Sequence, residues 1–215
     1  VGSEMCIRDS YGTMRRHHEF WTSDNTDACE RVFMQWGIGH LFPAITMAAH
    51  VTASPNHQTK RVTPLKFRFD VAMSGRLGFE LQPCDMTKEE VEFSKRALAE
   101  YKRIRPVVQF GDLYRLSSPY ESRVAALMYV HEKRAVVFAW LMDKWLADSP
   151  PPLRLKGLNP AARYLVREIN LDENGPLANV HERVLGGDYL MDFGIRINWK
   201  NAFQSVCMEV TETGS

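Results

Sequence analysis

The spacing of apolar residues changes its rule near residue 118, and a chain with two such halves has to build two different kinds of layer. Between Tyr11 and about Ser118, short extended runs alternate with helical stretches, the order expected of consecutive βα units. Phe20-Trp21-Thr22-Ser23 reads as a strand end. Asp27, with Glu30 three residues on, is placed to cap a helix whose Cys29, Val32, Phe33 and Trp36 share one face and which Gly37 and Gly39 should end. Ala44 to Ala49 is a second buried run, followed by a polar loop through Pro55 to Thr59 and a helical stretch around Phe67 to Met73. Leu77 to Leu81 is a third strand candidate. Thr87 and Glu90 form a capping box for a longer helix, with Phe93, Ala97, Tyr101 and Ile104 on one face, expected to stop before Pro106. Three βα units in series suit part of a parallel α/β barrel.

From about Pro119 the pattern becomes short strands at regular spacing: Ala125 to Val130, Ala135 to Met142, Leu153 to Leu158, Tyr164 to Ile169 and Val206 to Thr211. Turn-forming segments separate them, among them Asn159-Pro160 and Gly186-Gly187, which points to an antiparallel β-sandwich. The expected division is therefore a partial barrel over residues 11–118 and a β-sandwich domain over residues 119–215. Val1 to Ser10, VGSEMCIRDS, follows neither periodicity. It resembles translated adapter read-through, so it is set aside as a non-native leader. With no native start in view, localisation stays open between cytoplasm and periplasm.

Several classes of function are poor fits. Lys and Arg number 27 against 26 Asp and Glu, so no long-range field draws the chain onto a polyanion, and nucleic-acid binding is not expected. The longest apolar run, Ala135 to Met142, falls far short of the roughly 20 residues of a membrane-spanning helix, so no membrane partner is expected. Cys6, Cys29, Cys84 and Cys207 lie far apart with no C-x-x-C pair and read as structural thiols. None of the seven histidines forms an H-E-x-x-H pair, and no metal site is expected.

The densest polar cluster is Trp21-Thr22-Ser23-Asp24-Asn25-Thr26-Asp27, at the handover from strand to helix, which in a βα barrel lies on the active-site face. Two carboxylates three residues apart beside an indole suit a sugar site: a carboxyl can protonate a glycosidic oxygen while the aromatic covers an apolar sugar face. Short polar side chains also gather at any helix start to cap it. Asp27 carries the capping spacing and is assigned to that role. Asp24 lies one turn earlier, where capping does not account for it.

The run EFWTSDNTDACERVFMQWGIGHLFPAITMAAHVTASPNHQTKR resembles the α-galactosidases of glycoside hydrolase family 36, as do FRFDVAMSGRLGFEL, FGDLYRLSSPYE, KGLNPAARYLVREIN and GGDYLMDFGI in the same order. The similarity spans Tyr11 to Thr213. It implies the C-terminal part of an enzyme built from an N-terminal β domain, a central (β/α)8 barrel and a C-terminal β-sandwich, with barrel strands six to eight in this chain. Asp24 takes the place of the family's general acid/base, and Trp21 matches a tryptophan beside its galactose pocket. The nucleophile, an aspartate in a Lys-Trp-Asp context, has no counterpart here, and neither has the glycine-rich loop before the acid/base segment. The implied reaction is hydrolysis of terminal α-1,6-galactosides of the melibiose and raffinose type with retention of configuration, without metal or organic cofactor. The fragment alone is expected to be inactive, and a homo-oligomer remains open for the full-length enzyme.

Two other readings compete. Relatives in the family act on α-N-acetylgalactosamine, and the residues that would read the 2-substituent lie partly outside this chain. Phe138, Trp140 and Trp145 could instead form the platform of a non-catalytic carbohydrate-binding β module, although the alternation in Ala135 to Met142 more often means core packing. His50 and His57 are placed near the sugar face by their loop, with structural hydrogen bonding the plainer role.

Overall fold

The computed structural model describes residues 15–145 and 149–214. The leader at Val1 to Ser10, the Tyr11-Gly12-Thr13 junction and Cys6 lie outside the described residues. The first half consists of β1 (Phe20–Trp21), α1 (Ala28–Ile38), β2 (Met47–Thr52), α2 (Leu65–Met73), β3 (Arg76–Glu80) and α3 (Lys88–Phe110). The three strands are parallel and adjacent in chain order, each joined to the next through a helix, as in a segment of a βα barrel. Among the described residues β1 and β3 pair only with β2, which leaves both outer edges of the sheet open.

Local chemistry accounts for most of these boundaries. Thr87 Oγ1 accepts from the Glu90 N–H at 3.2 Å while the Glu90 carboxylate accepts from the Thr87 N–H at 3.0 Å, the reciprocal box that starts α3. Strand β2 begins at Met47 rather than Ala44, because the Thr46 N–H and Oγ1 both turn back to the Pro43 carbonyl and wind Ala44–Thr46 into a 3-10 turn. Gly37 lies within α1, and the cap falls on Gly39.

The expected stop before Pro106 does not occur, and α3 runs through the proline to Phe110. A proline inside a helix costs about 3 kcal/mol through a lost N–H and a clash with the preceding turn. Val107 and Val108 follow it and are buried, as are Tyr101 and Ile104 before it. Burying each such side chain contributes about 1.5–3 kcal/mol, so packing outweighs the local penalty.

The second half is one six-stranded antiparallel sheet in the order β4-β5-β6-β9-β7-β8. Its strands are β4 (Asp112–Ser117), β5 (Val124–His131), β6 (Arg134–Leu141), β7 (Arg163–Ile169), β8 (Arg183–Gly186) and β9 (Gln204–Thr213), with α4 (Gly187–Asp192) after β8. The sheet starts at Asp112, ahead of the change expected at about Ser118, because β4 pairs with β5 and not with the parallel strands.

Both faces of this sheet are covered by other elements among the described residues. Ala125, Leu127 and Tyr129 of β5 and Val136, Phe138 and Trp140 of β6 pack against the helices of the first half. The intervening residues Val124, Ala126 and Met128, with Ala135, Val137, Ala139 and Leu141, pack against Leu153, Leu155, Leu158, Leu190, Ile195 and Trp199. The strand expected at Leu153 to Leu158 is absent. That segment makes a single bridge, Leu153 to Ile195, and inserts its leucines as an irregular cover. The prolines at 150–152 supply no N–H to a ladder, which keeps the approach to it out of regular pairing. Among the described residues the antiparallel sheet of this β domain thus lies between a helical layer and an irregular one.

A buried polar cluster joins the halves. Asp70 of α2, fully buried, accepts from Lys66 Nζ at 2.6 Å, from Asn170 Nδ2 at the end of β7 at 2.6 Å and from Ser205 Oγ of β9 at 2.7 Å. Asn170 holds its position with a positive φ of 53°.

Candidate active site

Toward their C-terminal ends the parallel strands carry Trp21, His50 and Glu80, and the Thr22–Asp27 turn follows β1. The register sets Trp21 beside Ala48 and His50 beside Gly78. Successive side chains of a strand alternate between faces, so Met47, Ala49 and Val51 meet the apolar clusters while His50 joins Trp21 on the opposite face. The indole and imidazole centroids are 4.2 Å apart with the rings tilted by 52°. Gly78 leaves the space that His50 occupies: a Cβ there would overlap its ring, approaching Nε2 to 2.5 Å.

The two aspartates of the turn separate cleanly. Asp27 is 1% exposed and is the N-cap of α1, accepting from the Cys29 N–H at 2.8 Å and the Glu30 N–H at 3.2 Å. Thr59 Oγ1 and Arg61 Nη1, the latter at 2.6 Å, also donate to it from the loop after β2. Burial raises its pKa, but the bonds from Thr59, the Glu30 N–H and Arg61 outweigh that and hold the carboxyl below its ordinary 3.8. Asp27 is therefore a fixed anion and unsuited to donate a proton. Asp24, four residues before the helix, is exposed.

A depressed carboxyl pKa adds stability that is complete above the unfolded value and is lost as pH falls through the folded one. The Cys29 and Glu30 amides should therefore lose protection, relative to the intrinsic exchange rate at each pH, as pH drops below 3.8, ahead of amides in the middle of α1. Amide exchange measured at stepped pH checks this, and unchanged protection of those two amides would contradict it.

The loop after β2 is clamped to the same turn. Thr52 Oγ1 donates to the Thr26 carbonyl at 3.0 Å, and Asn56 Nδ2 donates to Thr26 Oγ1 at 3.3 Å. The Asn56 side-chain Oδ1 accepts from the Gln58 and Thr59 N–H groups, which presents Thr59 to Asp27. His57 is exposed on this loop. Sequence reasoning reached the loop but not the supporting roles of Asn56, Thr59 and Arg61, because their partners are about 30 residues away and only the parallel pairing brings them close.

Arg31 was not singled out in the sequence either. It lies in the first turn of α1, is 2% exposed, and holds its guanidinium carbon 5.1 Å from the centroid of the Trp21 ring. Burial lowers its pKa to about 10, against the opposing pull of Glu80 and Asp24. His50 is also lowered, first by burial and then by Arg31, so the imidazole facing Trp21 is neutral at neutral pH.

Residues 3–111, more than half of the 215, match the family described as Melibiase. The chain belongs to the melibiase family. Residues 124–210 match the glycosyl hydrolase family 36 C-terminal domain. Similar members of the melibiase family include the α-galactosidase AgaA of Geobacillus stearothermophilus, 40% identical over 185 residues, which cover 85% of this chain and 24% of that one. A probable α-galactosidase G of Aspergillus terreus is 35% identical over 197 residues, 90% of this chain and 25% of its own length. The crystal structure of AgaA superposes with a TM-score of 0.84 at 37% identity, covering 94% of this chain and 27% of that one. This chain thus spans about a quarter of the length of the melibiase relatives it matches.

Among the described residues no group of three or more His, Cys, Asp or Glu side chains is arranged to hold a metal, and no helix is long and apolar enough to cross a membrane. Cys29, Cys84 and Cys207 are free. The aromatic platform considered for the second half is not available as such. Phe138 and Trp140 are buried and stacked with centroids 5.9 Å apart, and only Trp145 is exposed, with Arg123 lying 4.2 Å over its ring.

Proposed function

We propose that this chain supplies the general acid/base part of a retaining α-galactosidase acting on terminal α-1,6-galactosides, with Asp24 as the acid/base and Trp21 as a wall of the galactose pocket. The observation that carries the reading is the contrast within one turn: Asp27 is locked as a buried cap, while Asp24, three residues after Trp21, is exposed. Structures of an AgaA variant with raffinose and of another with stachyose show that a relative binds such oligosaccharides, which supports the substrate class. The parallel strands would be barrel strands six to eight, closed by a segment outside this chain.

In the first step Asp24 protonates the departing glycosidic oxygen while a carboxylate on the opposite face of the sugar forms a galactosyl ester. In the second, Asp24 takes a proton from the water that cleaves the ester, and the two carboxyls of such a pair lie ~5–5.5 Å apart. The nucleophile has to come from the part of the protein outside these residues. Residues 11–215 alone should consequently release no nitrophenol from nitrophenyl α-galactoside beyond a matched Asp24→Ala control, since most of the rate gain needs an oriented partner. Asp24-dependent release would mean that a nucleophile lies within this chain. With the upstream sequence restored, proton NMR of raffinose hydrolysis should show α-galactose as the first product. Initial β-galactose would refute retention, and no hydrolysis at all would refute the substrate class.

A further inference from the structure

Of the three connections that leave the C-terminal ends of the parallel strands, the one after β2 is the longest, running from Ala53 to Pro64. That is about twice the usual 2–6 residues of a βα loop, and extra length in a compact domain goes with a working role. In a βα barrel this is also the end where the active site is built. Its bonds to Thr26 and Asp27 tie the loop to the turn that carries Asp24.

Further bonds fix its shape. The Asn56 N–H donates to the Arg61 carbonyl at 2.9 Å and the Lys60 N–H to the Asn56 carbonyl at 3.0 Å, which closes the loop on itself. The Thr63 N–H donates to Ser54 Oγ at 3.1 Å. Lys60 takes a positive φ of 60°, a conformation that a β-carbon disfavours, and its Nζ donates to the His57 carbonyl at 2.7 Å. Two side chains at the crown take no part in this. His57 and Gln58 are exposed, and neither the imidazole nor the carboxamide makes a hydrogen bond among the described residues.

Side chains carried on a loop fixed this firmly meet a ligand already in place, which suits them to recognition. Under the galactosidase reading, on which this inference rests, Asp24 protonates the oxygen that joins the terminal galactose to the rest of the substrate. The galactose lies toward Trp21 at the end of β1, so the leaving sugar extends away from the strand ends, past the turn and toward the loops around it. Imidazole and carboxamide each offer a donor and an acceptor, as a sugar hydroxyl does, so the ligand they suit is neutral and rich in hydroxyls. We propose that His57 and Gln58 bind the leaving sugar, and that the loop after β2 thereby sets which galactosides are cleaved.

α-Galactosyl fluoride isolates this contact, because fluoride departs in place of the sugar and is too small to fill a subsite. In the protein with its upstream sequence restored, the ratio of kcat/KM for raffinose to kcat/KM for galactosyl fluoride is the quantity to follow. The double variant His57→Ala/Gln58→Ala should lower it about 10–30-fold, the effect of losing two hydrogen bonds of ordinary net strength. Each single substitution should give a smaller step in the same direction, so either one decides if the double variant is poorly made. Because both side chains are exposed, the melting temperature should stay within about 2 °C of the parent, which separates a lost contact from a lost fold.

A ratio that does not move overturns the proposal, whether both rates hold or both fall together; in the second case the two residues belong to the scaffold of the turn. If the parent cleaves no raffinose, the galactosidase reading fails and the subsite fails with it. If the parent cleaves both substrates and the ratio stays where it was, the subsite fails alone.

Discussion

Asp24→Ala, in the protein with its upstream sequence restored, should lose ~10²–10⁴-fold in kcat/KM toward raffinose, the range that a positioned acid/base contributes. The loss should be far smaller toward nitrophenyl α-galactoside, because nitrophenolate departs without protonation. The variant should then stall at the galactosyl ester, since no group remains to deprotonate water. Azide needs no deprotonation and should accelerate turnover of the nitrophenyl substrate, giving galactosyl azide. Asp27→Ala is the paired control: removing a cap with four donors should lower stability and weaken activity on both substrates alike. Leaving-group dependence and azide rescue with Asp27→Ala, and not with Asp24→Ala, would mean that the roles of the two carboxylates are reversed.

The largest effect on folding is expected at Asp70. Burial by itself would depress Lys66, but its contact with Asp70, assisted by Glu168 and Cys207, more than offsets this and holds the ammonium above its ordinary 10.5. Asp70→Ala removes the only carboxylate bonded to Lys66 among the described residues and strands Asn170 and Ser205 as well. Breaking a buried pair from one side costs about 3–5 kcal/mol, a large share of a typical domain's stability. Because the bonds run from α2 to β7 and β9, calorimetry should show the transition falling and broadening as the halves uncouple. The double substitution Lys66→Met with Asp70→Leu should be much less harmful than Asp70→Ala, since it removes both charges together. A double variant as unstable as the single one would argue that the hydrogen bonds to Asn170 and Ser205, rather than the stranded lysine, carry the effect.

Features with local causes were legible in the sequence. Thr87 and Glu90 announced the start of α3, and the capping spacing assigned Asp27 correctly to the helix. The runs that became β5, β6 and the Val206–Met208 stretch of β9 were readable because continuous apolar residues of strand-forming type suit a sheet buried on both faces, and β7 because buried Tyr164 and Val166 alternate with exposed neighbours. What the sequence hid depends on contacts between distant residues. The passage of α3 through Pro106 rests on burial against the antiparallel sheet, and β4, half-exposed and partly polar, is a strand only because β5 pairs with it. Leu153 to Leu158 looked like a strand because covering leucines and strand leucines share a spacing. Arg31 carried no signal, since a charge in the first turn of an exposed-looking helix ordinarily reads as solvated.

The double-sided burial of the antiparallel sheet changes what holds its strands in step. In a sheet with one wet face, slipping by a residue drives apolar side chains into water, and polarity enforces alignment. Here both faces of β5 and β6 are apolar, so a slip would exchange one greasy set for another at little cost in solvation. Bulk has to provide the discrimination. Toward the helices the paired residues are large, Leu127 with Phe138 and Tyr129 with Val136, whereas Ala126 opposite Ala139 lines the other side. Exchanging Phe138 and Ala139 would preserve composition, hydrophobicity and strand propensity, yet it would leave a void against the helices and an overlap against the leucine cover. These strands are keyed by volume, so the substitutions they tolerate least are ones that a hydropathy profile cannot see.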